Sequence, residues 1–119
     1  MTEQISWCVE LRVRPGKFEQ FRALTGAMVE ATRAEQGVLS YQRFIAGDGD
    51  SIHVYERYAD SAVAAAHLRA FTEKFGEEYS ALAERMRFTV YGAPDPALRA
   101  LLDRYGAVYM QPLGEFAYW

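Results

Sequence analysis

The chain has two histidines, eight tyrosines, seven phenylalanines and two tryptophans among 119 residues, and the chemistry it can do beyond packing rests largely on them. His67 is the sharpest candidate. It falls inside a run of apolar residues at helical spacing, so a helix built on that run turns the imidazole inward. A ring that titrates near neutral pH can there accept a proton from a weak acid bound beside it. The competing reading is a core histidine satisfied by a backbone carbonyl or by Glu56. Trp7 offers a flat surface on which a planar ligand stacks, or plain core packing. Tyr41 and Tyr55 can orient an oxygenated ring through their hydroxyls, or pack half-exposed as strand tyrosines commonly do. Phe71 and Phe75, with Tyr79, form either a pocket wall or ordinary core at helical spacing. Glu56 and Arg57 are neighbours on one strand and so point to opposite faces, which prevents them from acting as a pair in one pocket. His53, next to a turn, belongs in solvent. No His or Cys pair stands at ligand spacing, so no metal site is expected. The absence of GxGxxG, P-loop, HExxH and CxxC patterns gives no sign of a bound cofactor.

These side chains need elements to position them, and the hydrophobic pattern supplies them in order. Ile5, Trp7, Val9, Leu11 and Val13 alternate with Ser6, Cys8, Glu10 and Arg12, the period of a strand with one dry face. Pro15 and Gly16 break it. Phe18, Phe21, Leu24, Met28 and Ala31 recur at three- and four-residue steps up to a helix stop at Gly37. Val38–Ile45 and Ile52–Tyr58 flank the turn Gly47-Asp48-Gly49-Asp50 and read as an antiparallel hairpin. Asp60 or Ser61 caps a second helix that carries Val63, His67, Phe71, Phe75, Tyr79 and Leu82, with Gly76 as a candidate kink. Met86–Tyr91 alternates again. The order β-α-β-β-α-β predicts an α+β domain of ferredoxin-like topology, an antiparallel sheet with both helices on one face. Beyond Gly92, Asp95 and Pro96 open a short helix with Leu98, Leu101, Leu102 and Tyr105, ended by Gly106; a strand over Ala107–Met110 follows. The chain thus reads as one domain over residues 1–119, with a core at about 5–91 and a helix–strand extension at 92–119.

Half of the residues are apolar, a quarter are charged, and the net charge is -3. The 13 basic residues are scattered along the chain, which speaks against nucleic-acid binding. Eleven of them are Arg, which fits carboxylate or phosphate recognition and, more simply, codon bias. Cys8 stands alone, so no intrachain disulfide forms, and its place in an apolar run suggests a small buried hydrophobe. With neither a signal-like N-terminus nor an apolar run of about 20 residues, a cytoplasmic protein without membrane attachment is expected. Helices on one sheet face leave the other bare, and the aromatic tail Phe116, Tyr118 and Trp119 also needs cover; a homodimer or the chain's own core would provide it.

Pro15-Gly16 with Phe18 and Phe21, the stretch Glu35-Gln36-Gly37-Val38-Leu39-Ser40-Tyr41, and Val54-Tyr55-Glu56-Arg57-Tyr58 followed by Asp60, Ala64 and His67 together resemble the antibiotic biosynthesis monooxygenase family over about Ile5–Tyr91. The resemblance implies a dimeric α+β barrel with a pocket between sheet and helices in each subunit. It also implies oxidation of a small aromatic, quinol or polyketide-like substrate by O₂ without flavin or metal. A deprotonated, electron-rich phenol can itself reduce dioxygen, so the protein need only bind, deprotonate and shield it. The family often has a histidine where His67 stands. Many members carry a second histidine about one turn later, where this chain has Thr72. Relatives that bind and degrade haem use a strand-one asparagine, a helix-two tryptophan and a later histidine. This chain has no asparagine, His67 stands near the tryptophan position, and Glu77 or Glu78 stands near that of the iron ligand. A non-catalytic dimeric barrel that binds a small hydrophobic ligand is the alternative from another class. A deep pocket with His67 exposed to it favours catalysis, and a closed, well-packed core favours a structural or interaction role.

Overall fold

Residues 3–116 are described by the structure, a computed structural model. The elements run β1 (Ile5–Val13), α1 (Phe18–Arg33), β2 (Val38–Ile45), β3 (Ser51–Tyr58), α2 (Ser61–Leu82), β4 (Ala83–Tyr91), α3 (Pro96–Asp103) and β5 (Val108–Met110). The sheet order is β2-β3-β1-β4-β5. The first four strands pair antiparallel, in the expected ferredoxin-like arrangement. β5 adds to β4 in parallel and makes the sheet mixed.

Strict alternation along β1 buries Ile5, Trp7, Val9, Leu11 and Val13. The registers put Val54 and Glu56 of β3 and Phe88 and Val90 of β4 beside them on that face. α1 covers the face through Phe21, Leu24, Met28 and Thr32. α2 does so through Ala64, Ala65, His67, Leu68, Tyr79 and Leu82. Phe71 and Phe75 are only partly buried. α2 runs unbroken through Gly76 and passes straight into β4 at Ala83, which is already extended. Asp60 caps α2 by accepting from the Val63 N–H at 2.9 Å, and Asp95 caps α3 by accepting from the Leu98 N–H at 2.8 Å. Ser61 does not cap its own helix; its Oγ accepts from the Asp95 N–H at 3.0 Å and ties the start of α3 to that of α2. Leu98 and Leu102 are fully buried and fix α3 to the core, each worth roughly 1.5–3 kcal/mol.

Among the described residues no helix covers the opposite sheet face. Cys8 is half-buried there between Thr89 and Tyr55, not enclosed in the core as its apolar setting suggests. Phe44, Tyr91, Val108 and Met110 stand exposed on that side. Of the terminal aromatics, Phe116 is 81% exposed, and Tyr118 and Trp119 lie outside the described residues. No helix among the described residues is long and apolar enough to cross a membrane.

Candidate active site

The i, i+4 geometry that brings Ala64 and Leu68 onto the sheet carries His67 with them, and its side chain is only 4% exposed. A buried imidazole needs partners for both nitrogens. Nδ1 lies 3.0 Å from Glu35 Oε1, on the α1–β2 connection, and Nε2 lies 3.5 Å from Glu56 Oε1, on β3. Each ring nitrogen therefore faces a carboxylate, one at the rim and one buried. Glu56 also accepts a short hydrogen bond from the Tyr58 hydroxyl. Burial, reinforced by the charge of Glu56, holds that hydroxyl well above its ordinary range, so it stays a donor. Tyr41 meets the His67 ring edge-on at 5.3 Å. Its own hydroxyl is pushed up by burial and by Glu56, and Arg43 partly opposes this.

His67 lines a cavity of about 30 Å³ between sheet and helices, together with Trp7, Tyr41, Arg43, Glu56, Phe71, Arg85, Phe88 and Tyr105. That volume holds a water molecule or two; an aromatic ring enters only if side chains move. Trp7 is fully buried against Tyr58 and Phe88, with ring centroids 4.8 and 5.5 Å away. Phe71 meets Tyr79 edge-on at 4.9 Å and forms one wall. Phe75 belongs to a smaller recess on the Glu35 side of His67.

Tyr55 is not brought to the cavity. Val54 and Glu56 face inward, so alternation sends Tyr55 to the bare face beside Cys8 and Gln42. His53 is exposed, with Nε2 3.8 Å from Glu10. Glu77 and Glu78 are also exposed. Among the described residues no three His, Cys, Asp or Glu side chains converge in the manner a metal ion needs.

Sequence reasoning missed four residues of the site. Arg43 is two positions after Tyr41 on β2 and so shares its inward face, a signal the alternation did carry. Its Nη2 donates to the Tyr41 hydroxyl at 3.0 Å, while Nε and Nη1 are buried without a hydrogen-bond partner among the described residues. Arg85 sits over the Tyr105 ring at 5.0 Å. Tyr105 reaches the cavity from beyond α3, and its hydroxyl is 2.6 Å from Thr72 Oγ1. Thr72 therefore holds Tyr105. Glu35 is far from His67 in sequence, and no local pattern links the two.

The model of the family described as "Antibiotic biosynthesis monooxygenase" matches residues 5–85. The chain belongs to that family. Within it, the putative monooxygenase Rv0793 of Mycobacterium tuberculosis is 36% identical over 58 residues, which are 49% of this chain and 57% of that protein. The chain thus spans little more than half of that curated relative in sequence. The solved structure of Rv0793 superposes with a TM-score of 0.58 at 28% identity, covering 79% of this chain and 98% of that one. MupZ from Pseudomonas fluorescens shares the fold almost end to end, with a TM-score of 0.87 at 23% identity over 98% of this chain and 96% of its own. SnoaB from Streptomyces nogalater, a cofactor-independent oxygenase, shares the fold at a TM-score of 0.60 and 16% identity, covering 77% of this chain and 94% of its own.

Proposed function

We propose that the protein is a cofactor-independent monooxygenase that oxidises a small aromatic, quinol or polyketide-like substrate with O₂, with His67 as general base. The observation that carries this reading is a buried imidazole lining an aromatic-walled cavity, with a carboxylate on each side. Glu35 orients the ring and balances the charge it gains on taking a proton, as a carboxylate does for a catalytic histidine elsewhere. Because the Glu35 side chain is 29% exposed, the proton has a route to solvent. Trp7, Phe71 and Phe88 keep water away from the electron-rich anion left behind, which then reduces dioxygen. One oxygen atom enters the product and the other leaves as water. Family membership and the SnoaB fold likeness support the reaction class.

We further infer a homodimer formed through the bare sheet face, which would cover Phe44, Tyr91, Val108 and Met110. An apolar groove of about 340 Å³ bounded by Leu68, Leu101 and Tyr105 favours one second reading, a barrel that binds a hydrophobic ligand without transforming it.

Dissolved-oxygen measurements on metal-free protein, with a panel of hydroquinones and anthrone-like phenols, separate the two. Oxygen uptake is expected with the native chain and falls at least about tenfold in His67→Ala, the low end for loss of a general base. Binding without oxygen uptake in either protein would favour the second reading.

A further inference from the structure

The cavity carries a charge that its proposed chemistry does not use. Arg43 holds Nε and Nη1 buried, with no hydrogen-bond partner on either among the described residues. Its third nitrogen is held by the Tyr41 hydroxyl and lies 3.7 Å from the Met28 sulfur. The guanidinium stacks over the Tyr41 ring at 4.5 Å, but a buried cation with two donors unmet beside a largely apolar cavity is still costly unless an anion reaches it. Glu56 lines the same cavity, but its Oε1 already accepts from Tyr58 and faces His67. Arg85 adds a second cation at the mouth.

Beyond Tyr105 an apolar groove of about 340 Å³ lies between α2 and α3, lined by Leu68, Arg69, Thr72, Leu101, Arg104 and Tyr105. Leu68 and Tyr105 line both spaces and form their common wall, and Thr72 holds Tyr105 there from the groove side. Four arginines thus line cavity and groove against one carboxylate, in a chain whose net charge is -3. The groove falls at the lower end of the size range for small-molecule sites.

We propose that the substrate carries a permanent anion besides the proton that His67 takes: a small aromatic acid whose carboxylate completes Arg43 inside the cavity beside His67, with the α2–α3 groove past Tyr105 taking the far end of its ring system. This deepens the monooxygenase reading and shares its cavity, but it concerns binding alone and is tested without turnover.

Equilibrium binding to the native chain, followed by the quenching of tryptophan fluorescence, compares 2-naphthoate, a permanent anion, with its neutral analogues 2-naphthamide and 2-naphthol. Naphthoate is expected to bind at least about tenfold more tightly than either, the scale of one charge-assisted contact made in a dry site. The preference is expected to collapse in Arg43→Gln and to survive, weakened, in Arg85→Gln. In the native protein the Arg43 Nε–H resonance shifts with naphthoate and stays put with naphthamide, a readout that holds even if Arg43→Gln does not fold. Equal binding of naphthoate and naphthamide, or no binding of naphthoate, overturns the proposal. So does a preference that survives Arg43→Gln. Tightest binding of naphthol overturns it too, while leaving the oxygenase reading intact, because Arg43 would then serve a phenol ionised in place.

Discussion

At the residue scale the site turns on how Glu56 is satisfied. This carboxylate is buried and takes its hydrogen bond from Tyr58 while facing His67. Tyr58→Phe removes that donor and is expected to cost about 1.5–3 kcal/mol at neutral pH, the usual worth of a hydrogen bond to a charged group. The same substitution changes the alkaline limb. The Tyr58 hydroxyl titrates above its unfolded value of 10.0, so its contribution to stability is complete below that pH and is lost as pH rises through the folded-state value. Urea denaturation at pH 7 and pH 11 is expected to give a smaller loss between the two conditions in Tyr58→Phe than in the native chain; parallel losses would contradict the assignment. His67 and Trp7 were legible from the sequence because helical and strand periodicity aim them inward. Of the two readings open for Tyr55, ring-orienting or half-exposed, the structure has the second, because the same alternation, applied through Glu56, sends it outward. Arg43 was open to the same argument from Tyr41. Glu35 was not, because its contact with His67 is created only when the α1–β2 connection folds over α2.

That connection depends on one element junction. Gly37 has φ +89°, and a Cβ there would lie 2.6 Å from Val63 Cγ2, while its carbonyl accepts from the Ala59 N–H at 2.9 Å. Gly37→Ala therefore meets both an unfavourable backbone region and a collision with α2, and is expected to destabilise by about 1–3 kcal/mol. Adding Val63→Ala is expected to recover the part due to the collision and leave the backbone part. Thermal melts of both variants check this, and a melt of Gly37→Ala matching the native chain would contradict it. The element order itself could be read from periodicity because each long strand and helix buries one face. The pairing of β5 could not: three residues, Val108–Met110, carry no register information, and their parallel place beside β4 is set by the anchoring of α3 through Leu98 and Leu102. Gly76 leaves α2 continuous, since a single glycine lowers helix propensity by about 1 kcal/mol without removing a hydrogen bond.

Across the whole molecule, one sheet face is buried under helices and the other presents Phe44, Tyr91, Val108 and Met110 to its surroundings. If two copies pair there, Tyr91→Glu places a charge in the interface, and sedimentation should move from twice the chain mass of 13.5 kDa toward a single chain. Native protein that already sediments as a monomer would contradict the pairing. The chain's arginine content had no readable meaning along the sequence, because residues 43, 69, 85 and 104 converge only when β2, β4, α2 and the end of α3 are assembled. The central claim, that this assembled cavity carries out monooxygenation, is tested most directly by turning over an oxygen-consuming panel substrate under ¹⁸O₂ with a chelator present and weighing the product. One labelled oxygen atom per product is predicted, with none taken from labelled water and no accumulation of hydrogen peroxide. Unlabelled product, or peroxide formed in proportion to substrate, would contradict the account.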